Sequence, residues 1–206
     1  VLNRDKKDAT YKLALFRALA DIAMKEYQRV RWVGENKVAV AIDLVTEKWL
    51  LYYWPLIENS LFIPQKRGEH PDSQKKIMFR KSMAELIALY RQKGGLKRFY
   101  LDLVNNAFPD ETRDLFKFAF KKVRTAIQKG PVIYAGGSLV EGPIFEYDKA
   151  TRSVIFSGDI WRELVLMGHW IRDALILRWG ELTSEISGRK FKPSNIIDLL
   201  LESPLS

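Results

Sequence analysis

The sequence holds no cysteine and only two histidines, His70 and His169, in 206 residues. The first absence excludes disulfides and thiolate metal sites, and it fits a cytoplasmic location. The second leaves no zinc constellation, because neither histidine has another near it in the chain. No His-Glu-x-x-His stretch and no Gly-x-Ser-x-Gly elbow occurs. No window of eighteen consecutive apolar residues exists and no signal-peptide pattern opens the chain, so no membrane partner is expected. Gly136-Gly137-Ser138 is a turn without the Gly-Lys-Ser/Thr that completes a phosphate loop. Internal repeats and low-complexity linkers are missing too, so residues 8–202 read as a single α-rich domain preceded by a disordered 1–7. No catalytic residue, metal ligand or cofactor is assigned to the chain itself.

What is present is a large apolar complement and an excess of positive charge. Hydrophobic residues make up 47% and aromatics 12%, enough for a sizeable packed core. The formal charge of +9 favours a polyanionic partner, nucleic acid and specifically duplex DNA, although it also serves solubility alone. Two groups of cations are candidates for that contact. Lys66, Arg67, Lys75 and Lys76 lie in a polar stretch, 64–76, that has no large apolar side chain and reads as a surface loop. Lys117, Lys121 and Arg124 recur at i, i+4 and i+7 on one helix, a row able to follow phosphates. The competing reading of that row is a solvated face, since Asp110, Glu111 and Asp114 open the helix and its cations close it, as the dipole favours.

The fold class expected is mainly α (α+β): a multi-helix domain around a long buried central helix, about 157–187, with one or two short β-hairpins. Trp161, Leu164, Val165, Gly168, Ile171, Leu175, Trp179, Leu182 and Ile186 recur at three- and four-residue steps. Leu166, Met167, Trp170, Ala174, Ile176 and Leu177 extend apolar character round the helix, which predicts burial on most sides. Ser157 is its N-cap and Gly188 its stop. The first helix is predicted from Ala9 or Thr10 to about Tyr27. Val30 to Ile42 reads as a hairpin turning at Gly34-Glu35-Asn36. Asp43 is expected to cap a second helix, Leu44 to about Glu58, that Pro55 ends or kinks. Ser82 with Glu85 forms a capping box for a helix to about Lys93, and another follows from Leu96 to Ala107. Pro109-Asp110 opens a helix to Lys129. Val132–Tyr134, Ile144–Tyr147 and Ser153–Phe156 read as short strands, and Asn195–Glu202 as the last helix.

Charged residues on the long helix invite a catalytic reading around Glu163, His169 and Asp173, against which ion pairs such as Arg178 with Glu181 are the simpler explanation. Asp43 with Glu47-Lys48 is the nearest local set to a metal-dependent nuclease core, but Asp43 reads as a cap and Glu47 as part of a surface turn.

Three stretches together resemble the N-terminal region of bacterial restriction- or defence-type HNH endonuclease proteins. They are Thr10-Tyr11-Lys12-Leu13-Ala14-Leu15 with Arg17-Ala18-Leu19, Glu47-Lys48-Trp49 with Tyr52-Tyr53-Trp54-Pro55, and the helix from Trp161 through Trp179. The resemblance implies a non-catalytic module contributing nucleic-acid binding or target selection. In that group the nuclease module lies downstream and holds its divalent metal with an Asp-His pair and a later Asn. No Asp-His pair occurs here, the two histidines following Glu69 and Gly168, so no catalytic residue carries over, and the ending LLLESPLS fits a chain that stops before that module. The alternative, from the six tryptophans and the apolar content, is a protein-interaction or homodimerisation module.

Overall fold

The computed structural model describes residues 8–135, 143–202 and 204. The disorder expected for 1–7 and the Gly136-Gly137-Ser138 turn lie outside them. The chain is mainly helical with a small antiparallel sheet. Helix α1 (Tyr11–Lys25) leads through a 3-10 turn, Tyr27–Arg29, into strands β1 (Arg31–Val33) and β2 (Lys37–Ala41). Helix α2 (Ile42–Glu58) follows, then a long loop, α3 (Arg80–Arg91), α4 (Gly95–Val104), α5 (Asp110–Lys129) and a single turn, α6 (Pro131–Tyr134). Strands β3 (Glu146–Asp148) and β4 (Ser153–Ser157) run directly into α7 (Gly158–Ile186), and α8 (Pro193–Leu201) comes last.

The two expected hairpins form and then join, because β2 pairs with β4 to give the order β1-β2-β4-β3. Val38 and Val40, fully buried, face Phe156 and Val154 across that seam, which is the alternation the sequence shows. Each central strand feeds a long helix, β2 into α2 and β4 into α7. The strands are antiparallel, so the two helices leave from opposite ends of the sheet.

Helix α7 starts and stops where its punctuation places it. The Ser157 hydroxyl accepts the Asp159 amide at 3.1 Å, and Gly188 takes a φ of +66° just beyond the last turn. Its burial is less than the apolar count predicts: 11 of its 29 residues are buried. In α2 the figure is 13 of 17, and α2 is the helix that α1, α3, α4, α5 and α8 surround. Helix α7 packs against α1 and α8, with close approach at two glycines. A Cβ on Gly168 would fall 2.6 Å from Met24 Cγ, and one on Gly180 2.8 Å from the Pro193 carbonyl. The other side of α7 has no covering element among those described.

Several local expectations are corrected. Asp43 is not an N-cap, since α2 begins at Ile42, and its carboxylate pairs with Arg124 at 3.1 Å instead. Pro55 does not stop α2 at its own position; the helix closes within one turn of it, at Glu58, the bound expected. Ser82 lies inside α3 and donates back to the Phe79 carbonyl, so the capping box does not form. Residues 132–134 make a helical turn rather than a strand, with Pro131 at its first position where the missing amide costs nothing. The 64–76 loop is not wholly at the surface: Gln65 and Glu69 are buried within it.

Gln65 sits at a polar node inside the aromatic core. Tyr53 donates to Thr10 Oγ1 (2.8 Å), Thr10 donates to Gln65 Oε1 (3.1 Å), and the Trp179 indole donates to that same oxygen (2.8 Å). One buried amide therefore ties the start of α1, the middle of α2 and the end of α7 together. A second polar insert, this one charged, is Arg17, fully buried, which stacks 4.0 Å from the Tyr52 ring centroid and donates to the Leu200 carbonyl at 3.0 Å. Tyr52 in turn donates to Asp21, one turn along α1.

Candidate functional site

The candidate basic residues fall on two elements, the 64–76 loop and α5. Lys117 and Lys121 are exposed on α5 and, with Phe116, Phe120 and Arg124, line a shallow hollow of about 290 Å³. Arg124 is held to Asp43 in the first turn of α2. Lys75 and Lys76 are exposed, Lys66 is half-buried with its backbone bridged to Ala9, and Arg67 reaches Glu185 at 3.6 Å. That loop is anchored through Gln65 and Thr10 to Tyr53, ten residues further along α2 than Asp43. Ten residues of helix span roughly 15 Å, the distance along α2 between these two anchoring points. Sequence reasoning passed over Phe118, which is 47% exposed on the α5 face with the Lys122 ammonium 5.2 Å from its ring centroid. An aromatic set among lysines at a position off the core stripe was the signal.

Glu163, His169 and Asp173 are all exposed and do not converge. Glu163 and His169 sit roughly 120° apart around the helix, and Asp173 is paired with Arg172 at 3.2 Å. Among the described residues no group of His, Asp and Glu side chains is arranged to hold a metal ion. No helix among them is long and apolar enough to cross a membrane.

Two other places carry more shape. The first is the open side of α7, where Leu166 is 74% exposed, Trp170 70%, Leu177 54% and Met167 44%. With exposed Ala174 they recur at three- and four-residue steps and form one apolar stripe along the helix. Ion pairs flank it at both ends: Arg162 with Asp159 at 2.6 Å and Arg178 with Glu181 at 2.9 Å. The expected Arg178–Glu181 pair is thus present, in solvent rather than in a core.

The second is a cavity of about 630 Å³ walled by the end of α1, the first half of α2, α4 and α5. Its rim is charged and its interior apolar. Asp43 and Glu47 stand one turn apart on α2, with Leu51 a turn deeper, so one face of that helix runs from carboxylates into the apolar wall. Glu26 bridges two cations, pairing with Lys48 and with Arg29 (2.6 Å). Burial works to raise the Glu26 carboxyl, but hydrogen bonds and charge from Lys48 and Arg29 outweigh it and hold the group below its ordinary range. Glu47 differs. Burial pushes its carboxyl above the ordinary range, against the pull of Arg29 and Lys48. Sequence reasoning set Asp43, Glu47 and Lys48 aside as a cap and a turn; only the tertiary fold closes α4 and α5 over them.

The family model described as Domain of unknown function (DUF8808) matches residues 1–200. No curated protein and no solved structure matches the chain.

Proposed function

The chain belongs to the family described as Domain of unknown function (DUF8808), and we propose that it is a self-association module, two copies pairing antiparallel through α7. The observation that carries this reading is the exposed stripe of Leu166, Met167, Trp170, Ala174 and Leu177 on the longest helix of the chain. A contiguous apolar surface rimmed by ion pairs marks a contact site for another apolar surface. The order of residues along α7 favours a second copy of itself. Full overlap of two antiparallel helices places the two-fold axis at the helix midpoint, Arg172. Trp170 then lies opposite Ala174, large against small, and Met167 opposite Leu177. Glu163 then lies opposite Glu181 of the second copy, with Arg178, the ion-pair partner of Glu181, within one turn of both carboxylates. In a parallel pair each charged residue, Asp173 and Arg178 included, would instead meet its own counterpart, and like charges repel.

One helix per copy buries less surface than a standard interface, so the association is concentration-dependent rather than permanent. Sedimentation equilibrium over the micromolar range is expected to show a monomer–dimer equilibrium. Trp170→Glu is expected to leave a monomer at every concentration with an unchanged far-UV spectrum, because Trp170 contributes nothing to the monomer core. A wild-type chain that stays monomeric throughout the range contradicts the reading.

A second reading, nucleic-acid binding through α5, is favoured by exposed Phe118 among Lys117, Lys121 and Lys122, a stacking surface beside cations. Anisotropy of a labelled duplex is expected to fall with salt, and Lys117→Glu with Lys121→Glu to weaken binding and flatten that dependence. An unchanged curve removes α5 from the contact. A setting within an HNH-type endonuclease, whose divalent metal would belong to a downstream module, rests on the resemblance of three stretches alone. The aromatics that carry it, Trp49, Tyr52, Tyr53, Trp54 and Trp179, are packed in the core.

A further inference from the structure

We propose that the cavity between α2, α4 and α5 binds a small organic cation, a primary ammonium carried on an aromatic or branched apolar body. At about 630 Å³ the space suits a compact organic molecule. Its walls are Leu51, Tyr100, Leu103, Phe108, Phe116 and Phe120. Phe108 and Phe116 stack at 3.8 Å between centroids and Phe120 joins them at 5.5 Å, so the aromatic lining is continuous.

The charge class follows from accounting for each ionic group at the rim. Glu26 is held by Lys48 and Arg29, Asp43 by Arg124, and Lys25 is engaged as well. Glu47 is the rim carboxylate with no hydrogen bond or ion pair among the described residues, although it is half-buried. A half-buried carboxylate with no hydrogen bond, standing at the mouth of an apolar cavity, is a recognition group for a donor. An ammonium at Glu47 supplies the missing donor while its apolar body lies against the phenylalanine faces, which attract cations as well as apolar groups. An anion would have to displace Glu26 from Lys48 and Arg29 and then tolerate Glu47 beside it. Burial keeping the Glu47 carboxyl above its usual range agrees with a group left waiting in the unliganded protein. The proposal does not depend on α7, whose exposed stripe shares no residue with this cavity.

The test is isothermal titration calorimetry with 2-phenylethylammonium chloride, and with sodium 3-phenylpropionate as its anionic counterpart, on the wild-type chain, Glu47→Gln and Phe120→Ala. The expected result is saturable binding of the ammonium at one site per chain, weakened roughly tenfold or more in Glu47→Gln as a charge-assisted hydrogen bond is lost. Phe120→Ala is expected to weaken it too, and phenylpropionate to bind more weakly than the ammonium. Glu47→Gln is near-isosteric and removes a desolvated charge, so it folds, and far-UV circular dichroism verifies this independently of binding. No saturable heat with the ammonium, equal affinity in wild type and Glu47→Gln, or tighter binding of phenylpropionate would each overturn the proposal.

Discussion

Glu69→Ala is expected to destabilise the fold by about 3–5 kcal/mol, more than any other substitution in the 64–76 loop. The Glu69 side chain is fully buried and all its capacity is used. Oε1 accepts from the Ile77 amide (2.9 Å) and Arg80 Nε (2.7 Å), and Oε2 from the Gln65 amide (2.6 Å) and Arg80 Nη2 (3.1 Å). Removing it orphans two amides and leaves the Arg80 guanidinium, 7% exposed, with only the Ile63 carbonyl and the face of Phe62 for company. An uncompensated buried charge is the costly outcome, not the loss of the ion pair as such. Urea denaturation measures this, and the double variant Glu69→Leu with Arg80→Met is expected to regain a large part of the loss. A cost under about 1 kcal/mol for Glu69→Ala would mean the loop is not fastened through this carboxylate.

The second large effect separates the two sides of α7. Trp179 is fully buried, lies 5.1 Å from Tyr53 between ring centroids, and donates to Gln65. Trp179→Ala therefore opens a cavity and strips Gln65 Oε1 of one of its two donors, leaving Thr10, and about 3–5 kcal/mol is expected from thermal unfolding. Trp170→Ala on the same helix is expected to change monomer stability by no more than about 0.5 kcal/mol. Comparable losses at both positions would show that α7 is covered all round.

Several element ends were legible from single residues that act as punctuation, though not those read at Asp43 and Ser82. Pro109-Asp110 and Gly130 bound α5, and Ser157 and Gly188 bound α7, because a proline start, a serine cap or a glycine stop, left-handed at Gly188, acts within a few residues of itself. Which helix lies at the centre was less legible, although a signal existed. Trp49 to Leu56 is an unbroken apolar run, and α2 is buried there on every side. Helix α7 breaks its apolar residues with Arg162, Glu163, His169, Asp173 and Arg178, the pattern of a helix with one side in water. Its exposed tryptophan and leucines read as core because periodicity reports apolar character and not the presence of a neighbour.

The buried polar groups and the cavity were out of reach for a different reason. Glu69 lies in a stretch with no large apolar residue, and its burial depends on Arg80 arriving from α3. Asp43 meets Arg124 across 81 positions of sequence, and the cavity at Glu47 needs α1, α2, α4 and α5 together. No local pattern encodes such meetings. The cations of α5 were visible as a row, yet only the fold shows Arg124 tied to Asp43 while Lys117 and Lys121 beside it stay exposed.

The pairing of α7 is tested most directly by a distance between two copies. The chain has no cysteine, so Glu163→Cys carries a single nitroxide label at an exposed site. Double electron–electron resonance at high micromolar concentration then reports the separation of the two labels. Glu163 stands nine residues from the helix midpoint, so an antiparallel pair with full overlap sets the labels roughly 30 Å apart, about 27 Å along the helices and about 10 Å across them. A narrow distribution near that distance, lost when Trp170→Glu is added, is the predicted result. Labels only about 10 Å apart, the spacing of helices lying in parallel register, or no dipolar signal at all, would contradict it.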